Sequence, residues 1–185
     1  MERTEIRFAG FGGQGVVLAG MILGEAAVIH DGMHAIQTQT YGAAARGGAA
    51  RSDVILSGEP IVYPQVTAPD IMAVFTLEAM NKYIAEMKDG AVLIYDGSLF
   101  TPPEGLPYRL HNCPATGTAM NELGKGIVAN MVMLGFLVGL TGVVTVEAAE
   151  EAIRGNVPKG TDELNLNAFR RGMALAKETR NDRAC

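Results

Sequence analysis

The stretch Ile6-Arg-Phe-Ala-Gly10-Phe-Gly12-Gly13-Gln14-Gly15-Val-Val-Leu-Ala-Gly20-Met-Ile22 decides the fold class. Ile6 to Gly10 is a short strand running into glycine. A helical pattern follows from Gln14 to about Ile29, with Val17, Met21 and Ile22 at helical spacing. Between them Gly10, Gly12 and Gly15 satisfy G-x-G-x-x-G. Such glycines permit a tight turn and let a phosphate approach backbone N–H groups at a helix N-terminus. They serve equally well as a plain turn that packs the helix on a sheet. Gly20 and Gly24, four apart, cost intrinsic helix stability and imply a close approach to a neighbouring element.

Working outward, strand and helix patterns alternate. Ala35 to Thr40 and Asp53 to Leu56 read as strands. Ile71 to Phe75 and Ala91 to Tyr95 are continuous apolar runs, the mark of strands buried on both faces, and Tyr108 to Asn112 is a weaker strand. Helical patterns fall at Leu77 to Met87, Ala115 to Leu123, Ile127 to Val138, Val146 to Ile153 and Asp162 to about Thr179. The expectation is an α/β fold: a three-layer α/β/α sandwich with a mostly parallel sheet and a helical C-terminal third. Residues 1–185 form a single domain, since no repeat, low-complexity tract or linker divides them.

Gly126 to Val144 is nearly apolar, interrupted mainly by Asn130 and Thr141. Leu140-Thr141-Gly142 reads as a helix stop, which leaves a buried core helix rather than a membrane span. Met120, Met131 and Met133 read as core, and the apolar helix near Met131 as a source of exposed apolar surface. The tail from Arg154 onward, richer in Lys and Arg, reads as a solvated helix of mixed charge.

The net charge of -5 argues against a nucleic-acid binder. Only two cysteines, Cys113 and Cys185, are present. An iron–sulfur cluster or a structural zinc needs about four ligands, so this chain cannot hold one alone. The lack of a disulfide framework points to a reducing compartment, and no signal peptide is visible at Met1, so the expected location is cytoplasmic. His30, His34 and His111 lack metal-ligand spacing, and Ser98 lacks a nucleophile-elbow pattern. Asp96 and Glu78 follow strands on the side where α/β sites form, yet isolated carboxylates there are often helix caps. A catalytic constellation does not emerge, and a metal site is not expected.

A conventional NAD site wants an acidic residue at the end of the second strand. That strand ends Gln37-Thr-Gln-Thr40, with no carboxylate. The loop Tyr41-Gly-Ala-Ala-Ala-Arg46-Gly47-Gly48 sets a lone guanidinium among small residues, an arrangement suited to a phosphate, a carboxylate or a partner subunit.

Phe8-Ala-Gly-Phe-Gly-Gly-Gln-Gly-Val-Val-Leu-Ala-Gly20, Gln39-Thr-Tyr-Gly-Ala-Ala-Ala-Arg-Gly-Gly48 and Arg51-Ser-Asp-Val-Ile-Leu-Ser57 follow in order, with Pro69-Asp70, Leu93-Ile-Tyr-Asp96, Glu122-Leu-Gly124 and Ala129-Asn-Met-Val132 further on. Together they resemble the gamma subunit of the 2-oxoacid:ferredoxin oxidoreductases, over about residues 4 to 140. The short match is closest to the 2-oxoglutarate type. Where that family has Pro-Glu before the arginine, this chain has Ala43-Ala44, which removes a carboxylate from the loop.

The resemblance implies a subunit, without catalysis of its own, of an enzyme that oxidatively decarboxylates a 2-oxoacid with coenzyme A. The products are an acyl-CoA, CO2 and reduced ferredoxin. It implies alpha and beta subunits as partners, with a delta, ferredoxin-like subunit in some members. Thiamine diphosphate, Mg2+ and iron–sulfur clusters are then held elsewhere in the complex, and no nucleic acid or membrane is involved. It makes Gly10, Gly12, Gly13, Gln14, Gly15, Tyr41, Arg46, Gly47 and Gly48 the candidate coenzyme A or partner contacts. The competing reading is an independent nucleotide-binding module or small NAD(P)-linked reductase; a pure scaffold subunit is a third. In isolation the chain is expected to self-associate.

Overall fold

The computed structural model of the chain describes residues 2–40 and 49–182. Among the described residues six strands form one sheet: β1 (Thr4–Phe11), β2 (His34–Thr40), β3 (Ala49–Ser57), β4 (Ile71–Val74), β5 (Val92–Tyr95) and β6 (Arg109–Asn112), in the order β2-β3-β1-β4-β5-β6. Six α-helices among the same residues accompany them: α1 (Val16–Glu25), α2 (Leu77–Tyr83), α3 (Ala115–Asn121), α4 (Ala129–Thr141), α5 (Val146–Asn156) and α6 (Asp162–Asp182). The α1 helix ends in a π-helical turn, Ala26–His30, and α2 in a short 3-10 turn, Ile84–Glu86.

The sheet is less parallel than the alternation predicts. β1, β4, β5 and β6 are parallel neighbours, whereas β3 runs antiparallel to both β1 and β2. The reason is chain length. Parallel neighbours need a crossover of about a dozen residues or more, and only residues 41–48 separate β2 from β3. Having returned to the other end of the sheet, the chain reaches the start of β4 without a crossover helix. The expected strand at Asp53 to Leu56 is accordingly longer, because it pairs with β1 from Ala49 to Leu56.

Helices lie on both faces, unequally. One face, carrying Ile6, Phe8, Val54, Ala73 and Ile94, forms a single core with side chains of α1, α3, α4, α5 and α6. The opposite face, carrying Ala9, Met72, Val74 and Leu93, packs against α2 through Ala79, Met80 and Tyr83. Local signals set the helix ends. Thr76 and Thr145 cap α2 and α5 by accepting from Ala79 N and Ala148 N, each at 3.2 Å. Gly142, at φ 64°, stops α4 in the left-handed conformation.

The apolar run becomes α4, whose residues from Met131 to Leu137 are all buried. No helix among the described residues is long and apolar enough to cross a membrane. Burial of α4 also removes it as a source of exposed apolar surface. Met131 and Met133 are core as expected, but Met120 is 60 % exposed, because α3 ends just after it and turns it outward. The charged tail is likewise more than a solvated helix. The inner side of α6 buries Leu166, Phe169 and Ala176, while Arg170 and Arg171 reach outward to Glu150 and Glu122. Gly20 meets Ser52 and Gln37 of the sheet, the close approach that its position implies, whereas Gly24 faces open space.

Candidate functional site

The four glycines of the first loop have different physical jobs. Gly10 ends β1, and a β-carbon there would lie 3.2 Å from Phe75 Cβ and 3.3 Å from Val16 Cγ1. Gly15 has φ 73°, caps α1, and leaves no room for a side chain against Asn130. These two are demanded by packing and by the turn. Gly12 and Gly13 have no heavy atom within 4 Å of an added β-carbon, and Gly13 has φ 97°. They are the glycines that face open space.

Gln14 holds this loop together. Its Oε1 accepts from the Phe11 N–H at 2.7 Å while its own N–H donates to Phe11 O at 3.2 Å. The Gly15 carbonyl accepts from Ala19 N at 3.0 Å and from Asn130 Nδ2 at 3.3 Å, and Asn130 Oδ1 accepts from Met131 N at 3.0 Å. Asn130 is buried and so ties the start of α1 to the start of α4.

The loop lies where the strand order reverses. From β1 the chain moves through α1 toward β2 on one side, while β4 and its helix α2 lie on the other side of β1 and on the opposite face. Ligands of open α/β sheets bind outside the carboxyl ends of the strands at such a point. Three hollows meet there, all touching Gly13. One of about 270 Å³ lies between Gln14, Phe75, Leu99, Thr116 and Ile127. A second of about 280 Å³ is walled by Leu18, Val128, Asn130, Pro158 and Leu164. A third of about 380 Å³ runs over Phe11, Val17, Met21 and Ala50. Ile127, 81 % exposed, stands between the first two, with Leu99 and Met120 also exposed nearby in the fold.

None of the residues lining these hollows is an acid, a lysine or an arginine. The crevice offers backbone N–H groups, amides and two threonine hydroxyls, Thr116 and Thr161, set in apolar walls. Such a surface can bind and orient a neutral or apolar group; among the described residues that line it there is no carboxylate, histidine, lysine, arginine or cysteine with which to make or break bonds. Asp96 at the end of β5 is not a free carboxylate. It is fully buried and accepts from Ser98 N at 3.0 Å, Thr116 N at 2.9 Å and Thr116 Oγ1 at 2.6 Å, fixing the start of α3. Burial, and then the Asp96 charge, push the Cys113 thiol well up, so it is not an activated nucleophile. Among the described residues no group of His, Cys, Asp and Glu is arranged to hold a metal ion.

Of the sequence-predicted set, Gly10, Gly12, Gly13, Gln14 and Gly15 are brought together in this loop; Tyr41, Arg46, Gly47 and Gly48 lie outside the described residues. The topology also weighs against the dinucleotide reading. In the dinucleotide-binding order the second strand flanks the first, whereas here β3 separates β2 from β1. Gln37 is turned onto Val17 O and Ser52 Oγ, at 3.0 and 2.8 Å. Sequence reading missed Asn130 as the clasp of the loop and Ile127 as its rim. A polar residue inside an apolar run was the signal for the first; the second carries none.

Comparison with known proteins agrees with this architecture. The pattern of the pyruvate ferredoxin/flavodoxin oxidoreductase family matches residues 5–175. The chain is 48% identical over 184 residues to the 2-oxoglutarate synthase subunit KorC of Methanothermobacter marburgensis, covering 95% of this chain and 98% of that one. The gamma subunit of a keto/oxoacid ferredoxin oxidoreductase from Geobacter sulfurreducens superimposes with a TM-score of 0.85 at 45% identity, over 95% of this chain and 99% of that chain. A 2-oxoglutarate:ferredoxin oxidoreductase from Magnetococcus marinus, described with 2-oxoglutarate, coenzyme A and succinyl-CoA bound, gives a TM-score of 0.86 at 29% identity. That match covers 96% of this chain but 32% of the other. On this sequence, this sheet order and these matches, the chain belongs to the pyruvate ferredoxin/flavodoxin oxidoreductase family.

Proposed function

We propose that the chain is the gamma-type subunit of a multi-subunit 2-oxoglutarate:ferredoxin oxidoreductase. Its enzyme converts 2-oxoglutarate and coenzyme A to succinyl-CoA and CO2 and passes two electrons, one at a time, to ferredoxin. The observation that carries this reading is the 48% identity to a 2-oxoglutarate synthase subunit along nearly the whole of both chains. Thiamine diphosphate supplies carbanion stabilisation in such chemistry and iron–sulfur clusters take up the electrons. The residues here do not fit a cluster: Cys113 is buried, and among the described residues no group of His, Cys, Asp and Glu is arranged to hold a metal ion. In this reading those groups are held by alpha and beta subunits, with a ferredoxin-like delta subunit in some members, in a cytoplasmic complex whose acceptor is ferredoxin.

The contribution of this chain is noncovalent. Gly12 and Gly13 present backbone to a ligand that no side chain shields, and Gln14 and Asn130 hold that backbone in place. The neutral, largely apolar hollows suit the pantetheine arm of coenzyme A better than its phosphates. Charge for the phosphates has to come from Arg46 or from partner subunits. The exposed Ile127, Leu99 and Met120 form the rim on which a partner closes and excludes water.

Affinity purification of the tagged chain from its native cells, with assay of 2-oxoacid-dependent and coenzyme A-dependent dye reduction, tests this. Co-purified subunits active with 2-oxoglutarate support the reading, and activity with pyruvate alone corrects the substrate. A chain recovered without partners or activity refutes it. Within the complex, Gly12→Ala and Arg46→Ala are expected to raise the KM for coenzyme A with little change in KM for the 2-oxoacid. Unchanged coenzyme A dependence in both would remove the site from this loop.

A further inference from the structure

The three hollows at Gly13 differ in what they can recognise. Among the described residues the one over Phe11 and Met21 is lined by no polar side chain. In the one beside Leu99, Thr116 Oγ1 is spent on Asp96 and Gln14 Oε1 on the Phe11 N–H. The third, of about 280 Å³ between α1, α4 and the start of α6, sets two buried asparagines, Asn130 and Asn165, in apolar walls.

Asn130 is used in both directions, by Gly15 O and by Met131 N. Asn165 is used in one. Its Nδ2 donates to Thr161 O at 2.9 Å and to Thr161 Oγ1 at 3.1 Å. Thr161 Oγ1 gives its own hydrogen to Pro158 O at 2.7 Å, so turning the amide round would set oxygen against oxygen. Oδ1 is therefore fixed away from Thr161, where it accepts from no donor among the described residues. Asn165 is only 7 % exposed, yet Oδ1 is not sealed in. It keeps open surface, and the open space that Asn165 lines is this hollow.

We infer that Asn165 Oδ1 receives an N–H of the ligand, and that this hollow is the seat of the apolar group carrying that donor. The inference rests on the coenzyme A reading above. Coenzyme A carries such groups twice, in the amides of its pantetheine arm and in the amino group of its adenine. Leu18, Ile127, Val128 and Leu164 cover the body of the group, and Oδ1 fixes its position. A ligand of the same shape without the N–H dries Oδ1 and leaves it unpaired. Asn165 thus selects its ligand as well as holding it.

The test is the KM for coenzyme A in the assembled enzyme. It is compared with analogues methylated on a pantetheine amide nitrogen and with one dimethylated on the adenine amino group. One class should raise KM about tenfold in the parent enzyme, and the class that does so names the group held in the hollow. Asn165→Ala should raise the KM for coenzyme A itself by a similar factor. It should add nothing for that analogue, in which the hydrogen bond is already gone. Asn167→Ala, exposed on the same helix, should change neither. A parent enzyme indifferent to every analogue overturns the assignment without any variant having to fold. So does an Asn165→Ala enzyme that loses as much for the analogue as for coenzyme A, since the residue would then only shape α6. If Gly12→Ala and Arg46→Ala raise KM while Asn165→Ala and the analogues do not, this inference fails and the coenzyme A reading stands. If none of them moves it, both fail.

Discussion

The two faces of the sheet are stabilised by opposite means. On one, α4 and α6 come together backbone to backbone: a β-carbon on Gly135 would run into the Phe169 carbonyl, and one on Gly172 into the Val132 carbonyl. Nothing charged takes part in that crossing. On the other, Arg7 is fully buried in β1. Asp53 holds its Nε at 2.7 Å and its Nη2 at 3.0 Å, Glu86 accepts from Nη1, and the Tyr83 ring lies 5.2 Å from its guanidinium. Arg51 stacks on the same ring at 5.3 Å. Burial by itself would lower the Arg7 pKa, yet the two carboxylates outweigh it and leave it raised. The first face rests on space, the second on charge pairing. Five helices can bury a wide apolar surface, whereas a seven-residue α2 cannot. On that side the sheet uses side chains long enough to bridge from strand to helix.

Substitutions separate the two mechanisms. The largest effect is expected from Asp53→Ala, which leaves a buried guanidinium with Glu86 as its one remaining carboxylate and should cost about 3–5 kcal/mol in urea denaturation. Arg7→Met with Asp53→Leu should recover most of that loss, because it removes both charges and not one. If the double variant is as unstable as the single, the face depends on this ion pair for more than charge balance. Next is Gly172→Ala. The added methyl group meets backbone on α4 and should cost about 2–3 kcal/mol, with no dependence on salt. Gly24→Ala is the matched control: with open space around it, the higher helix propensity of alanine should stabilise by about 0.5–1 kcal/mol. A loss of stability there would show that α1 has a neighbour not in contact in this fold.

The smallest effect concerns the exposed side of α6. Arg170 hydrogen-bonds Glu150 at 2.7 and 2.8 Å and holds its carboxyl below the usual carboxylate range. A depressed folded pKa stabilises above the ordinary carboxylate value of about 4.3 and loses that contribution as the pH falls through the folded value. Glu150→Gln should therefore lower the thermal midpoint slightly at pH 7, and the gap from the parent chain should close in strong acid. A gap that persists there would assign the effect to packing.

How much was legible in advance varies with the kind of signal. The continuous apolar runs at Ile71 and Ala91 gave β4 and β5 because buried parallel strands need such runs on both faces. The glycine loop gave the β1 to α1 turn, and Gly142 gave the end of α4. The reversal of β3 was readable from the short connection between β2 and β3, but alternation of pattern hid it. The role of α6 was hidden differently. Its charges are conspicuous, while the small residues that let it touch α4 carry no hydrophobic signal. At the candidate site the loop was legible and its clasp was not, since Asn130 lies 115 residues from Gly15.

The sequence by itself determined the alternating elements, the conformations that glycine alone permits, the absence of a cluster-binding cysteine set, and the family. Each follows from local sterics, short-range periodicity or residue inventory. Only the tertiary structure decided which glycines pack and which face open space, that β3 separates β2 from β1, that Arg7 is paired in the interior, and that β2 is an edge of the sheet among the described residues. Those depend on which distant segments become neighbours, a choice made by the sum of many small burial and pairing terms and written in no one segment.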